Sequence, residues 1–449
     1  MGDHTFCLLS SSDQCDCVHI NLTRRYLEMD TSNARSAGSL DPSFGTDGIF
    51  TFSNDVYGSF SIAGIVSGPD GGTIVAGRGQ GDVYAIARLT ENGQPVPQFG
   101  RDGMVTGQFK PGKTAAAGVP AYTPDGKILI SGFYKEEPLA EHKPALARHL
   151  VTGEIDTGFG ENGVVFLDFP PPKSPDPEKT QPAGGPPDTA YELFSFKITP
   201  LPDGKIVFSG VTQANRSDGA TKFSVLGRMN ADGSLDNTFA DKGYLYPKPP
   251  QNIVDQHLVL EDGSILLAGQ MENTPEHTGY VARYLSNGEL DRTFGSAGYR
   301  LIDGLEGGHI TAIALHGTNG LIVGANKRNF SGLSPWSAVL RGLTTDGAWD
   351  TGFNGGNAVE VKLGTSGHKL LLKDLVADGD GIVLLGDMAN IALARYRLDG
   401  TPDASYGNSG WWEYSGRESN SLLRQPDGKI VATAMGNSGE KIVARYMGS

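Results

Sequence analysis

Cysteine is nearly absent from this chain. Its three copies, Cys7, Cys15 and Cys17, fall in the first 17 of 449 residues, so disulfides do not hold the body of the protein together. Cys15-Asp16-Cys17 has no His or Cys partners at metal-binding spacing. Positive charge is scarce as well: 37 Lys and Arg face 51 Asp and Glu, a net charge of -14. That balance argues against a nucleic-acid surface, which needs a basic face to displace counterions. No apolar run approaches the length of a membrane span. Phosphate-binding Gly-rich loops, nucleophile elbows and His-Glu-x-x-His helices are all missing, and no cofactor is expected.

Residues 1–38 lack the repeats described below, and Phe6-Cys7-Leu8-Leu9 is too short an apolar core for a secretory signal. The expectation is a disordered or mis-assigned tail, with translation starting at Met29. Cytoplasm is the default location, and export without a cleaved signal stays open.

What the chain has in abundance is glycine, 63 residues, about twice the roughly 7% usual share. Much of it sits in three recurring phrases. The first is an Asp, an aromatic and a Gly: Leu40-Asp41-Pro42-Ser43-Phe44-Gly45, Phe99-Gly100, Ile155-Asp156-Thr157-Gly158-Phe159-Gly160 and Leu235-Asp236-Asn237-Thr238-Phe239. It continues as Leu290-Asp291-Arg292-Thr293-Phe294-Gly295, Trp349-Asp350-Thr351-Gly352-Phe353 and Pro402-Asp403-Ala404-Ser405-Tyr406-Gly407. The aromatic recurs every 53 to 60 residues, with one interval of 80. The second phrase is an Asp-Gly turn before a β-type run, as in Pro124-Asp125-Gly126-Lys127-Ile128-Leu129 and Pro426-Asp427-Gly428-Lys429-Ile430-Val431. Such turns signal hairpins, because Gly accepts the positive φ they demand. The third ends an apolar run in Arg: Arg88, Arg148, Arg228, Arg283, Arg341, Arg395 and Arg445.

Each unit reads as four short antiparallel strands, and seven units predict an all-β, seven-bladed β-propeller over residues 39–449. The chain enters out of phase. Ile49-Phe50-Thr51-Phe52 follows the first Asp-aromatic phrase with no blade before it, and the last unit stops after its third strand. The N-terminal strand should therefore complete the last blade and close the ring. The long interval comes from a Pro-rich insertion at 169–188, read as a surface loop.

In combination, Leu-Asp-x-x-Phe-Gly-x-x-Gly, Pro-Asp-Gly-Lys-Ile and the Ala-Arg-Tyr strand resemble the delta-60 repeat family of bacterial β-propellers, over about residues 40 to 447. Departures are local: Val96 replaces the Asp of the second copy, Tyr406 the Phe of the seventh, and Asn357 the second Gly of the sixth. The resemblance implies fold and repeat architecture; it implies no common reaction and transfers no catalytic residue.

The repeated Arg and Asp are expected to pair with each other or with turn carbonyls, and the repeated Phe to pack between blades. Asp378-Gly379-Asp380-Gly381 is read as a hairpin without calcium, which needs six or more converging oxygens. Aligning units on their Asp-Gly turns puts His309 and His368 near the start of the first strand in neighbouring blades. Arg417 and Glu418 fall there in the seventh and Asn252 in the fourth. If first strands line the axis, His309, His368 and Glu418 would converge at the channel mouth and could hold a metal or do acid–base work. His257 reads as a satisfied core histidine. Trp336, Trp411 and Trp412 suit a sugar-binding surface, although adjacent Trp411 and Trp412 face opposite sides of one strand. The reading is a monomeric, non-enzymatic scaffold binding a protein or glycan through rim loops, with Arg417, Asn252 and Trp412 as binding candidates. The alternative is a hydrolase or lyase using His309 and His368.

Overall fold

A computed structural model describes residues 36–137, 142–169, 196–216, 219–248, 252–271, 278–305, 308–317, 319–328, 336–364, 368–388 and 390–448. The expected tail up to residue 35 and the Pro-rich insertion beyond Phe169 lie outside the described residues. Seven four-stranded antiparallel sheets make up the ring. Blade 1 comprises Ser61–Ser67, Thr73–Gly79, Val83–Leu89 and Met104–Gly107. The first strands of blades 2 to 6 are Thr114–Tyr122, Lys197–Pro200, Asn252–Val259, His309–His316 and Leu371–Asp378. Blade 7 takes Gly416–Arg424, Ile430–Gly436 and Lys441–Tyr446 from the C-terminal end and Ile49–Phe52 from the N-terminal end. Ile49 pairs with Ala444 and Phe52 with Lys441, so the expected closure is what the ring uses.

First strands are innermost: each touches the first strand of both neighbouring blades, all the way round. Second strands such as Ile128–Lys135 begin with five consecutive buried residues, because a blade is covered on both faces by its neighbours. That is why these runs read as continuously apolar instead of alternating. The core is correspondingly divided among the inter-blade seams. Phe52, Val431 and Val443 of blade 7 pack on Ile62, Val75 and Ala85 of blade 1, and six further clusters do the same at the other seams.

Tight turns join first to second strands. At Thr123–Gly126 the Gly126 N–H returns to the Thr123 carbonyl at 2.9 Å with Gly126 at φ +83°, a value L-residues seldom adopt. Where third strands turn into fourth, the Asp of the Asp-aromatic phrase shapes the bend. Asp236 Oδ1 accepts the Thr238 N–H at 3.0 Å and its hydroxyl at 2.6 Å, and Asp291 treats Thr293 in the same way.

Candidate functional site

Antiparallel order gives the ring two unlike faces. Hairpins between first and second strands and phrases between third and fourth strands emerge at one end of every blade. This face carries both repeated turn phrases and is nearly the same in each blade. The opposite face carries the connections from second to third strand and from fourth strand to the next blade. These differ greatly: Gln80–Asp82 in blade 1, a four-residue helix Asn54–Tyr57 leading into blade 1, and a two-stranded ribbon of Lys362–Leu363 and His368–Lys369 leading into blade 6.

On the uniform face the repeated arginines are spent on holding blades together. Arg148 Nε donates to Asp156 Oδ2 at 2.6 Å, Arg228 to Asp236 at 2.6 Å, Arg283 to Asp291 at 2.6 Å and Arg445 to Asp41 at 2.8 Å. The other end of each guanidinium reaches into a turn of the following blade: Arg148 to the Ala231 carbonyl, Arg228 to Ser286, Arg283 to Thr345, and Arg445 across the closure to Glu91. Aromatic rings of the phrase lie beneath, 4.5 Å from Arg148 at Phe159 and 4.8 Å from Arg445 at Phe44. Burial pushes the Asp41 carboxyl up, but Ser43, Lys429 and Arg445 outweigh it and hold the group at about 2. Where Val96 removes the acid, Arg88 binds Asp70 at 2.8 Å and still reaches the Val151 carbonyl at 2.8 Å.

Blade 5 corrects the expectation of seven equivalent arginines. The residue after the Arg bridges the phrase at His149–Ile155, Met229–Leu235 and Tyr284–Leu290, and the matching bridge in blade 5 is Leu343–Trp349. Gly342 therefore occupies the clasp position, and Arg341, one residue earlier, faces the other side of the sheet. Arg341 binds Asp303 at 2.9 Å with its guanidinium 3.8 Å from the Trp349 ring. A Cβ on Gly342 would stand 2.5 Å from Phe353 Cβ, so the aromatic has moved into the vacated space. Asp350 is left with the Gly352 N–H at 2.9 Å and His316 Nε2 at 3.6 Å. In blade 6, Asp378 and Asp380 are taken up by arginine: Asp378 by Arg395 at 3.3 Å and Arg424 at 3.0 Å, Asp380 by Arg395 at 2.6 Å.

Polar residues of the inner strands also bridge blades. His257, 6% exposed, shares hydrogen bonds with Ser209 Oγ at Nδ1 (2.7 Å) and Thr199 Oγ1 at Nε2 (2.9 Å), one ring nitrogen donating and the other accepting. Burial, with the Lys197 ammonium adding to it, pulls this imidazole down to about 3. Asp374 accepts the Leu422 N–H of blade 7 at 2.8 Å and its neighbour Leu375 N–H at 2.9 Å. Burial pushes its carboxyl up to about 6, against those hydrogen bonds and Lys197.

The His, Arg, Glu and Asn candidates singled out in the sequence lie on the variable face or near it, whereas Trp412 stands at the start of a fourth strand, toward the uniform face. No set of three His, Cys, Asp or Glu that could hold a metal ion occurs among the described residues. His309 opens the first strand of blade 5 with its ring edge-on to Trp336, centroids 5.4 Å apart. His368 is exposed on the ribbon, opposite Leu363 and ahead of the first strand of blade 6. Arg417 and Glu418 are exposed at the start of the first strand of blade 7, and Asn252 begins that of blade 4. Trp411 and Trp412 do face opposite ways, and both are half-buried, against the cores of seams 5–6 and 6–7 respectively.

Sequence reasoning missed a cavity of about 420 Å³ on this face, where blade 7 meets blade 1. Asn54, Ser59, Phe60, Gln80 and Lys441 line it. It is built by the connection that follows the closing strand, a segment outside the repeat phrases; the only signal in the sequence was that this connection is longer than its counterpart before blade 7.

No curated protein matches the sequence. Among solved structures the chain is similar to Saccharomyces cerevisiae Sqt1, at 10% identity over 92% of this chain and 99% of that one, TM-score 0.45. It is similar to the polysaccharide lyase Uly1 at 11% identity over 93% and 95%, TM-score 0.47. The WD40 β-propeller domain of Doa1 gives 8% identity over 91% and 96%, TM-score 0.48. At these identities and scores the likenesses carry no functional information. A family model described as a domain of unknown function (DUF5122) beta-propeller matches residues 201–239 and 260–294, in blades 3 and 4, and the described residues form a seven-bladed β-propeller.

Proposed function

We propose that the protein is a non-enzymatic scaffold that binds a protein or glycan partner through its variable face. One observation carries the reading: all but one of the recurring arginines, with the aromatics of the phrase, are consumed in contacts on the uniform face, while the unequal connections gather on the other. A rigid ring with one variable face is how repeat scaffolds generate recognition. The repeat phrases also lead us to group the chain with the delta-60 propellers of bacteria. The hydrolase or lyase reading through His309 and His368 draws no support from the geometry, since one packs against Trp336 and the other stands on an exposed ribbon.

Partners are to be sought with a glycan array and by cross-linking capture, and located by amide hydrogen exchange. Protection is expected in 53–60, 80–82, 108–113 and 437–440. Protection confined to the Asp-Gly and Asp-aromatic turns would overturn the assignment of the binding face.

A further inference from the structure

We propose that the cavity between blades 7 and 1 is a saccharide subsite that recognises a carboxylated sugar unit, a uronic acid, through the Lys441 ammonium. This rests on the variable face being a binding surface and adds a ligand class to it.

The cavity, about 420 Å³, falls in the range of small-molecule sites, on the order of 300–1,000 Å³. Its lining is chemically mixed. Asn54 and Gln80 bring side-chain amides and Ser59 a hydroxyl, groups that both donate and accept, as sugar hydroxyls require. Phe60, 3% exposed, closes one wall with an aromatic ring fixed edge-on against Phe52 at 4.9 Å. Gln80 reaches the site over Gly58, where a Cβ would stand 2.3 Å from Gln80 Oε1. Glycine at φ +63° is thus what admits the amide.

Lys441 is the single charged residue in the lining. Among the described residues the one hydrogen-bonding contact of its ammonium is Met435 Sδ at 2.7 Å, a thioether that supplies no countercharge. Burial lowers its pKa, and the carboxylates of Glu418 and Glu440 oppose that without coming into ion-pair contact. A partly desolvated ammonium with no salt-bridge partner among the described residues gains from an anionic ligand that supplies one. The lining holds no carboxylate and no histidine, which sets it apart from a cation site. Three neutral polar side chains around the ammonium favour a polyhydroxylated anion over a bare one.

Isothermal titration with digalacturonate, its methyl ester and acetate tests the proposal on the full chain and on Lys441→Met, Gln80→Ala and Asn54→Ala. Digalacturonate should bind the wild type, and Lys441→Met should weaken it about ten- to a hundredfold, the worth of a charge-assisted hydrogen bond. The methyl ester should bind the wild type about as weakly as the acid binds that variant. No binding of the acid, equal binding of acid and ester, or acetate binding as tightly as digalacturonate would each overturn the proposal. Should Lys441→Met melt abnormally, the exposed positions Gln80 and Asn54 carry the test through their own losses of affinity. A glycan that protects other loops of the variable face and ignores Lys441→Met removes the subsite and leaves the binding face standing. A partner that protects only the uniform face removes the reading beneath it.

Discussion

Two buried titratable groups on the inner strands pull the pH dependence of this ring in opposite directions. His257 is held down to about 3 by burial, against about 6.5 in an unfolded chain. Below about 6.5 the unfolded chain takes up a proton that the folded ring refuses. The contribution of His257 is therefore complete above that value and is lost as pH falls towards about 3. Asp374, raised to about 6, works the other way, and its contribution is lost as pH rises through about 6. Comparing wild type with His257→Gln isolates the first effect. The stability gap between them in urea should shrink by about 2 kcal/mol from pH 7 to pH 5, and an unchanged gap would mean that the imidazole is protonated inside the fold. The sequence placed His257 in the core from its apolar neighbours. It gave no sign of Ser209 as a partner, because that hydroxyl is 48 residues away and meets the imidazole only when blade 3 docks on blade 4.

At the scale of the element, the clasp explains why the third-strand arginine recurs. Arg148, Arg228, Arg283 and Arg445 each tie a strand end to its own phrase and to the next blade, with one guanidinium serving a carboxylate and a carbonyl at once. Arg445 is the most buried copy, at 1% exposure. Replacing it with Met leaves Asp41 buried beside Lys429 alone, and removing one partner of a buried pair costs about 3–5 kcal/mol. Chemical denaturation of Arg445→Met should show a loss of that order, and a loss below about 1 kcal/mol would place the hold of the closure in apolar packing. Pairing of arginine with aspartate was legible from their constant spacing. The slip in blade 5 was not, because Val339-Leu340-Arg341 reads like the other copies. A displacement of one residue sends a strand side chain to the opposite face, and only the pairing of Leu343 with Trp349 reveals it.

On the scale of the whole molecule, stability depends on closing the ring. A chain begun at Ser53 would leave blade 7 with three strands, remove Phe44 and Phe52 from the seam with blade 1 and expose the edge of Lys441–Tyr446. Scanning calorimetry and gel filtration should then show a lower melting temperature and association through the open edge, both reversed by a peptide spanning residues 36–52. A monomer melting like the intact ring would show that closure is not needed.

Blade number, the four-strand unit and the out-of-phase closure were determined by the sequence alone. They follow from local signals, Asp-Gly turns and short apolar runs, whose physics acts within a few residues and repeats seven times. Tertiary structure decided which face is uniform in its contacts, which way Arg341 points, and that Asn54, Gln80 and Lys441 line one open cleft. Those outcomes depend on groups that meet only across seams, as Gln425 Nε2 and the Gly71 carbonyl do, 354 residues apart and 2.7 Å from one another. The side chains that vary from blade to blade carry no periodic signal, so their meeting is set by the closed ring and by nothing nearer in the chain.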